Sequence, residues 1–124
     1  MKEDIIQQQI IGFLSVMARK YNFIFFSPMN EAAMMIMRRM RVPQKTISIM
    51  MSWMSKMGFL PGVSDIIIMQ AGKVYCLELK NETGRQLKSQ ILFQTNCKRC
   101  GIPYEIARSL KGAQDLMHMW GIID

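Results

Sequence analysis

The stretch "GVSDIIIMQAGKVYCLELK", Gly62 to Lys80, does most to limit the folds open to this chain. Two apolar, β-branched runs, "DIIIMQ" and "VYCLELK", flank the turn "AGK", a pattern that predicts an antiparallel hairpin over 65–80. Strands this apolar belong in a core, yet Asp65, Glu78 and Lys80 stand in them. Alternation puts Glu78 and Lys80 on one face, with Leu77 and Leu79 on the other. Pairing of the two strands brings Asp65, at the far end of the first, close to Glu78 near the far end of the second.

Two carboxylates that close repel each other and do not both stay ionised without a cation. A divalent metal supplies it, and an all-oxygen donor set favours Mg²⁺ or Mn²⁺ over zinc. Such a metal activates water and neutralises charge on a phosphoryl group. Lys80 then holds the attacking water or stabilises the developing charge. For any one of these acids, a loop aspartate or an exposed Glu–Lys pair is the ordinary explanation. The joint spacing, an acid, a hairpin and then E-x-K, favours the metal site.

The rest of the chain supplies a layered frame for that hairpin. Residues 3–20 read as a helix, with Ile6, Ile10, Phe13, Leu14 and Met17 at three- and four-residue steps. "NFIFFS", 22–27, reads as a short buried strand. Asn30 is a candidate N-cap for a helix over about 31–40, whose basic end "RRMR" suits a helix C-terminus. Pro43 breaks it, and a further helix runs over about 44–56 and stops near Gly58. After the hairpin and the polar loop "NETGR", a helix is predicted over 85–100, with Leu87, Ile91, Phe93 or Gln94, and Cys97 available for its faces. A strand near 103–107 and a helix over about 111–120 close the chain. The order αβααββαβα predicts an α/β domain with a central mixed sheet flanked by helices.

With 124 residues and no linker, repeat or low-complexity run, the chain reads as one domain, 1–124. Half of it is hydrophobic, enough for a core at this size. No apolar stretch reaches the ~20 residues of a membrane span. "MKEDIIQQQ" puts acids and glutamines where a signal peptide would begin its apolar region. The three cysteines are too few for a disulfide framework. The expectation is a soluble intracellular protein with no membrane partner. The fourteen methionines fit three readings: a soft core, a Met-rich groove, or Leu→Met replacement for labelling. "CKRC", Cys97 to Cys100, is a lone C-x-x-C and reads as two small core residues, since a zinc site needs a second pair. His118 lies in the last helix, far in sequence from the carboxylates, and is no candidate base. No P-loop or dinucleotide glycine motif is present.

The net charge is +7, from 16 basic and 9 acidic residues, which points to a polyanionic partner such as nucleic acid. Arg38, Arg39, Arg41, Lys45, Lys56, Arg85, Lys88, Lys98, Arg99, Arg108 and Lys111 are spread over several elements. Each alone is an ordinary solvated residue; jointly they suit phosphates flanking the site. No base-reading element is evident, so recognition by backbone and shape is expected.

An aspartate, a variable gap and Glu-x-Lys is the PD-(D/E)XK nuclease pattern, here "VSD…ELK". More of the chain agrees. Glu3, Ile6 and Gln7 fit an early helix motif E-x-x-h-Q. "FIFFSPMNE", "GFLPGVSD", "LELK", Gly84 followed six residues on by Gln90, and the ending "GIPYEIARSLKGAQDLMHMWGI" follow in order. Over nearly all its length the sequence resembles the VRR-NUC family of PD-(D/E)XK nucleases. It departs from the family pattern in Ser64 where a proline is usual, in an extra Met29 between Pro28 and Asn30, and in Leu87 where a serine is usual.

The resemblance implies a restriction-endonuclease-like fold and a Mg²⁺- or Mn²⁺-dependent DNA endonuclease. Asp65 and Glu78 would ligate the metal with the backbone carbonyl of Leu79, and Lys80 would be the catalytic lysine. Glu3 would approach the metal waters from the first helix. Gln90 would lie beside the lysine and orient substrate or water. Glu31 is the rival of Glu3: it lines the same cleft or is an ordinary first-turn helix acid. The implied substrate is branched DNA such as a four-way (Holliday) junction. Its two-strand cutting calls for a homodimer, in the cytoplasm of a bacterial or phage-infected cell. The other function class is a non-catalytic DNA-binding or DNA-processing protein on the same fold; the intact Asp65, Glu78 and Lys80 argue against it.

Overall fold

Residues 2–28 and 31–124 are described by the structure, a computed structural model, with the side chains of 31–33 excepted. The elements are α1 (Glu3–Tyr21), β1 (Ile24–Phe26), α2 (Glu31–Arg39), α3 (Gln44–Lys56), β2 (Ile66–Gln70), β3 (Lys73–Leu79), α4 (Lys88–Arg99), β4 (Tyr104–Ala107) and α5 (Leu110–Met119). Their order is the αβααββαβα expected from the sequence. The proposed cap Asn30 and the side chain of Glu31 lie outside the described residues.

The four strands form one mixed sheet in the order β1-β2-β3-β4. β1 and β2 pair antiparallel, as do β2 and β3, while β3 and β4 are parallel. The parallel pair is joined through α4, as a crossover requires. The hairpin turn is tighter than "AGK": Gln70 pairs with Lys73, and Ala71 and Gly72 alone make the bend at φ 50° and 78°. Two consecutive positive φ values give the two-residue turn whose twist suits a hairpin.

One sheet face carries Ile66, Ile68, Tyr75, Leu77, Leu79 and Ala107. On it pack Ile6, Ile10 and Leu14 of α1 with Ala113 and Met117 of α5. The four-residue steps of α1 put its apolar stripe on that face. Glu3 and Asp4 in its first turn, with Arg19 and Lys20 in its last, complement the helix dipole. The opposite face is smaller: Cys76 and Tyr104 pack with Cys97 of α4, and Phe93 lies against them. Among the described residues, no helix is long and apolar enough to cross a membrane.

Three sequence expectations change. β1 is an edge strand, not a buried one. Phe25 packs toward the α1 core, but Ile24 and Phe26 are exposed because α4 does not reach that end of the second face. α4 begins at Lys88 rather than 85, since Leu87 is extended and serves as its N-cap. Its buried positions are Gln90 and Cys97, while Leu87 and Ile91 face solvent. The helix turns a partly polar stripe inward because the sheet row beneath it is itself polar. "CKRC" splits for a related reason: Cys97 is core, whereas Cys100 follows the end of α4 and is exposed. Burial, and then Cys76 nearby, push the Cys97 thiol up to about 12, so the free thiol is not an ionised nucleophile at neutral pH.

A candidate active site at the open end of the hairpin

Asp65 immediately precedes β2, and Glu78 is the penultimate residue of β3. The pairing of Ile66 with Leu77 sets them side by side across the strand ends. Each holds the other's strand. The Asp65 N–H donates to Glu78 Oε1 at 3.3 Å, and the Leu79 N–H donates to Asp65 Oδ2 at 2.8 Å. Register and carboxylates are thus tied together.

The path of the chain into Asp65 is fixed by a close approach. Gly62 has φ +82°, and a Cβ there would lie 2.1 Å from the Ser89 carbonyl oxygen and 2.8 Å from the Gln90 nitrogen. Only glycine lets the "LPG" loop rest directly on the first turn of α4. Asp65 and Gln90 are thereby held to one frame.

Glu78 is fully buried, with 0% of its surface exposed, while Asp65 is half-buried. Burial pushes the Glu78 carboxyl up to about 9, and hydrogen bonding and negative charge from Asp65 push the same way. The positive charge of Lys80 opposes them. At neutral pH the pair therefore holds a proton. A buried acid kept protonated beside a second carboxylate is a fitting seat for a cation, which would take the proton's place. The donors are hard oxygens, suited to Mg²⁺ or Mn²⁺. Among the described residues, no third His, Cys, Asp or Glu joins the two as a direct ligand.

Lys80 is 7% exposed and follows Glu78 on the same face, its N–H donating to the Ala107 carbonyl at 3.0 Å. A Cβ on Gly84 would meet Glu3 Oε1 at 3.1 Å and Lys80 Cδ at 3.4 Å, so the two side chains flank the same glycine. Glu3 is thus not a third member of a direct carboxylate cluster among the described residues, in keeping with an approach through metal waters. Gln7, one turn after Glu3, donates to Ser27 Oγ at 3.3 Å and ties α1 to the segment after β1.

Gln90 lies in the first turn of α4 and is buried. Its Oε1 accepts the Leu87 N–H at 2.8 Å, one half of a capping box that Leu87 has no oxygen to complete. The side-chain amide N–H groups of Gln90 remain for substrate or water.

Two contributors, Tyr104 and Gln86, lay outside the sequence reading, and a third, Arg108, entered it only as a phosphate-facing base. The Tyr104 hydroxyl donates to Glu78 Oε2, a long contact at 3.5 Å. Gln86 Nε2 donates to the Tyr104 oxygen at 3.2 Å and to Gln94 Oε1 at 2.9 Å. With its oxygen accepting from Gln86, the tyrosine proton is directed to Glu78. Burial and the neighbouring Glu78 charge raise the Tyr104 pKa, so the hydroxyl stays a donor. Arg108 Nη1 donates to the carbonyls of Asn81 and Gly84, both at 2.8 Å, and pins the loop that carries Gln86. The one signal for the network was Gln86, Gln90 and Gln94 at four-residue steps. No protein-family model, curated protein or solved structure matches the chain.

Proposed function

We propose that the chain is a Mg²⁺- or Mn²⁺-dependent DNA endonuclease of the VRR-NUC type on a PD-(D/E)XK fold. The observation that carries this is the convergence of Asp65, buried Glu78 and Lys80 at one hairpin end. Asp65 and Glu78 hold the cation, with the Leu79 carbonyl as the implied third protein oxygen. When bound, the cation supplies an activated water and neutralises phosphoryl charge. Lys80 stabilises charge developing on the phosphoryl oxygens. Glu3 approaches the metal waters from the first helix, and the Gln90 amide positions water or a phosphate oxygen. The favoured substrate is branched DNA such as a four-way junction, cut by a homodimer in the cytoplasm of a bacterial or phage-infected cell.

The test is a panel of labelled DNAs (single strand, duplex, flap, splayed arm, four-way junction) incubated with Mg²⁺, Mn²⁺ or EDTA. Cleavage with either metal, lost in EDTA and in Asp65→Ala or Glu78→Ala variants with native circular dichroism, is expected. Binding without cleavage under every metal condition would instead make the chain a DNA-binding accessory protein. Full activity in either variant would remove the carboxylates from the site.

A further inference from the structure

The positive charge of this chain is concentrated in one segment. Between residues 32 and 64 there is no acid, and Arg38, Arg39, Arg41, Lys45 and Lys56 stand there. That segment therefore carries five of the seven net positive charges; the other residues hold eleven bases against nine acids.

The fold gathers four of the five at one point. α2 and α3 pack on each other as a helical hairpin. α2 ends at Arg39, and the chain turns back through a left-handed step at Arg41, φ 60°. The Met40 N–H donates to the Ile36 carbonyl at 2.9 Å and the Val42 N–H to the Met37 carbonyl at 3.0 Å, closing the turn. Pro43 then caps α3. Arg38, Arg39, Arg41 and Lys45 all surround this tip and are exposed, and Met40 between them is 72% exposed. Among the described residues the ion pair is Lys111–Asp115, and none of these four takes part in one.

Four like charges within eight residues repel one another, and an exposed tip gives no compensating burial. A polyanion offsets that repulsion. Duplex DNA presents one charge per ~1.7 Å of axis, and guanidinium forks match phosphate oxygens in pairs. We propose that the α2–α3 tip, Arg38, Arg39, Arg41 and Lys45, grips the phosphate backbone of a DNA arm flanking the cut. It is a binding surface made of residues distinct from the carboxylate–lysine group. The assignment rests on DNA being the substrate, and it makes the tip a source of affinity rather than of chemistry.

The experiment is fluorescence anisotropy on a labelled 30-base-pair duplex in EDTA, titrated from 50 to 200 mM KCl. The wild type is compared with the triple variant Arg38→Gln, Arg39→Gln, Arg41→Gln, with the single Arg39→Gln, and with a triple Arg→Lys variant at the same positions. Each phosphate contact contributes about 0.9 to the slope of log K against log salt. The triple Gln variant is expected to lose about two to three from that slope and to bind at least ~10-fold more weakly at low salt. The single variant is expected to lose about one, which keeps the measurement decisive if the triple variant fails to fold. The Lys variant is expected to keep most of the slope, since charge is what the tip supplies. Unchanged slope and affinity in the Gln variants, or a Lys variant as weak as the Gln triple, would overturn the proposal. A wild type that does not bind the duplex overturns it too, while the nuclease reading is judged separately by cleavage of the DNA panel with metal. A wild type that binds through the tip but cuts no DNA leaves the tip standing and removes the nuclease.

Discussion

Asp65 and Glu78 are joined by a backbone-to-carboxylate hydrogen bond across the hairpin, Asp65 N–H to Glu78 Oε1 at 3.3 Å. The contact joins fold and chemistry: it fixes strand register and also holds two carboxylates at one point with a lysine beside them. Removing one acid therefore has two effects to separate, on the strand end and on the cation seat. Glu78→Gln keeps an acceptor oxygen for the Asp65 N–H while removing the ionisable carboxyl.

The proton on Glu78 gives a pH signature. The folded-state value of about 9 lies above the ordinary 4.5, so the folded chain keeps a proton that the unfolded chain sheds. Stability falls with rising pH wherever the folded state binds more protons than the unfolded state. Without metal, the stabilising difference is thus fully present below pH ~4.5 and is lost as pH rises through about 9. Glu78→Gln lacks this proton, so thermal melts should show the wild type losing ground to the variant between about pH 5 and 9. Added Mn²⁺ should restore the wild type at the alkaline end and, at neutral pH, release close to one proton per ion, read by calorimetry in two buffers. A difference between the two proteins that does not vary with pH would show that Glu78 is already ionised.

Lys80 is expected to act on turnover. Lys80→Ala should lower the single-turnover rate of bound DNA by about 10²–10³-fold, the scale of one stabilising donor, with DNA affinity within about threefold of wild type. Weaker binding with an unchanged rate would make it a phosphate clamp instead.

Tyr104 is expected to position Glu78 without touching substrate. Tyr104→Phe keeps the ring that packs on Phe93, with centroids 6.0 Å apart, and removes the proton aimed at Glu78. Mn²⁺ affinity and cleavage should fall together by about 10–100-fold, as for other groups that orient metal ligands. Saturating Mn²⁺ should recover most of the rate. Loss of melting temperature with metal affinity intact would reduce Tyr104 to a packing residue.

Two glycines near the site should behave in opposite ways. Gly62→Ala puts a methyl 2.1 Å from the Ser89 backbone at φ +82°, and neither backbone segment can give way cheaply. It should destabilise by roughly 1–3 kcal/mol or more. Gly84→Ala meets side-chain ends instead: Asn81 Oδ1 at 2.9 Å, Glu3 Oε1 at 3.1 Å and Lys80 Cδ at 3.4 Å. It should fold normally yet slow cleavage by displacing Glu3 and Lys80. Melting temperatures and rates measured side by side on both variants check the contrast.

Much of this was legible in the sequence because it depended on local period. The three- and four-residue steps of α1, a turn at Ala71–Gly72 (read one residue too long, as "AGK") and the parity of Glu78 and Lys80 are all short-range features. The polar support of Glu78 was not. Tyr104 lies on its face only through the parallel pairing of Cys76 with Tyr104 and of Glu78 with Ile106, which no spacing in the chain encodes. α4 was misjudged for a related reason. Leu87 and Ile91 look like its core face, yet they are exposed while Gln90, whose Oε1 accepts the Leu87 N–H, is buried. Gly62 reads as a turn residue, and its contact with the Ser89 backbone appears only in three dimensions.

The apolar surface left over bears on assembly. Met35, Ile36, Met50, Trp53 and Met57 of the α2–α3 segment are exposed, as is the cross-strand row Ile24, Met69 and Val74. A monomer rarely shows so much apolar surface without a use for it. Two copies related by a two-fold axis would cover it reciprocally and set two cutting sites at a fixed separation, which suits the symmetry of a four-way junction. Sedimentation at micromolar concentration should therefore give twice the 14.4 kDa chain mass, and junctions should be cut in preference to linear duplex. Trp53, 62% exposed, is the natural anchor of such an interface, since buried tryptophans dominate association energies. Trp53→Asp should yield a monomer that retains metal binding and nicks DNA but loses the junction preference. A wild-type monomer that cuts duplex and junction equally would count decisively against the paired arrangement.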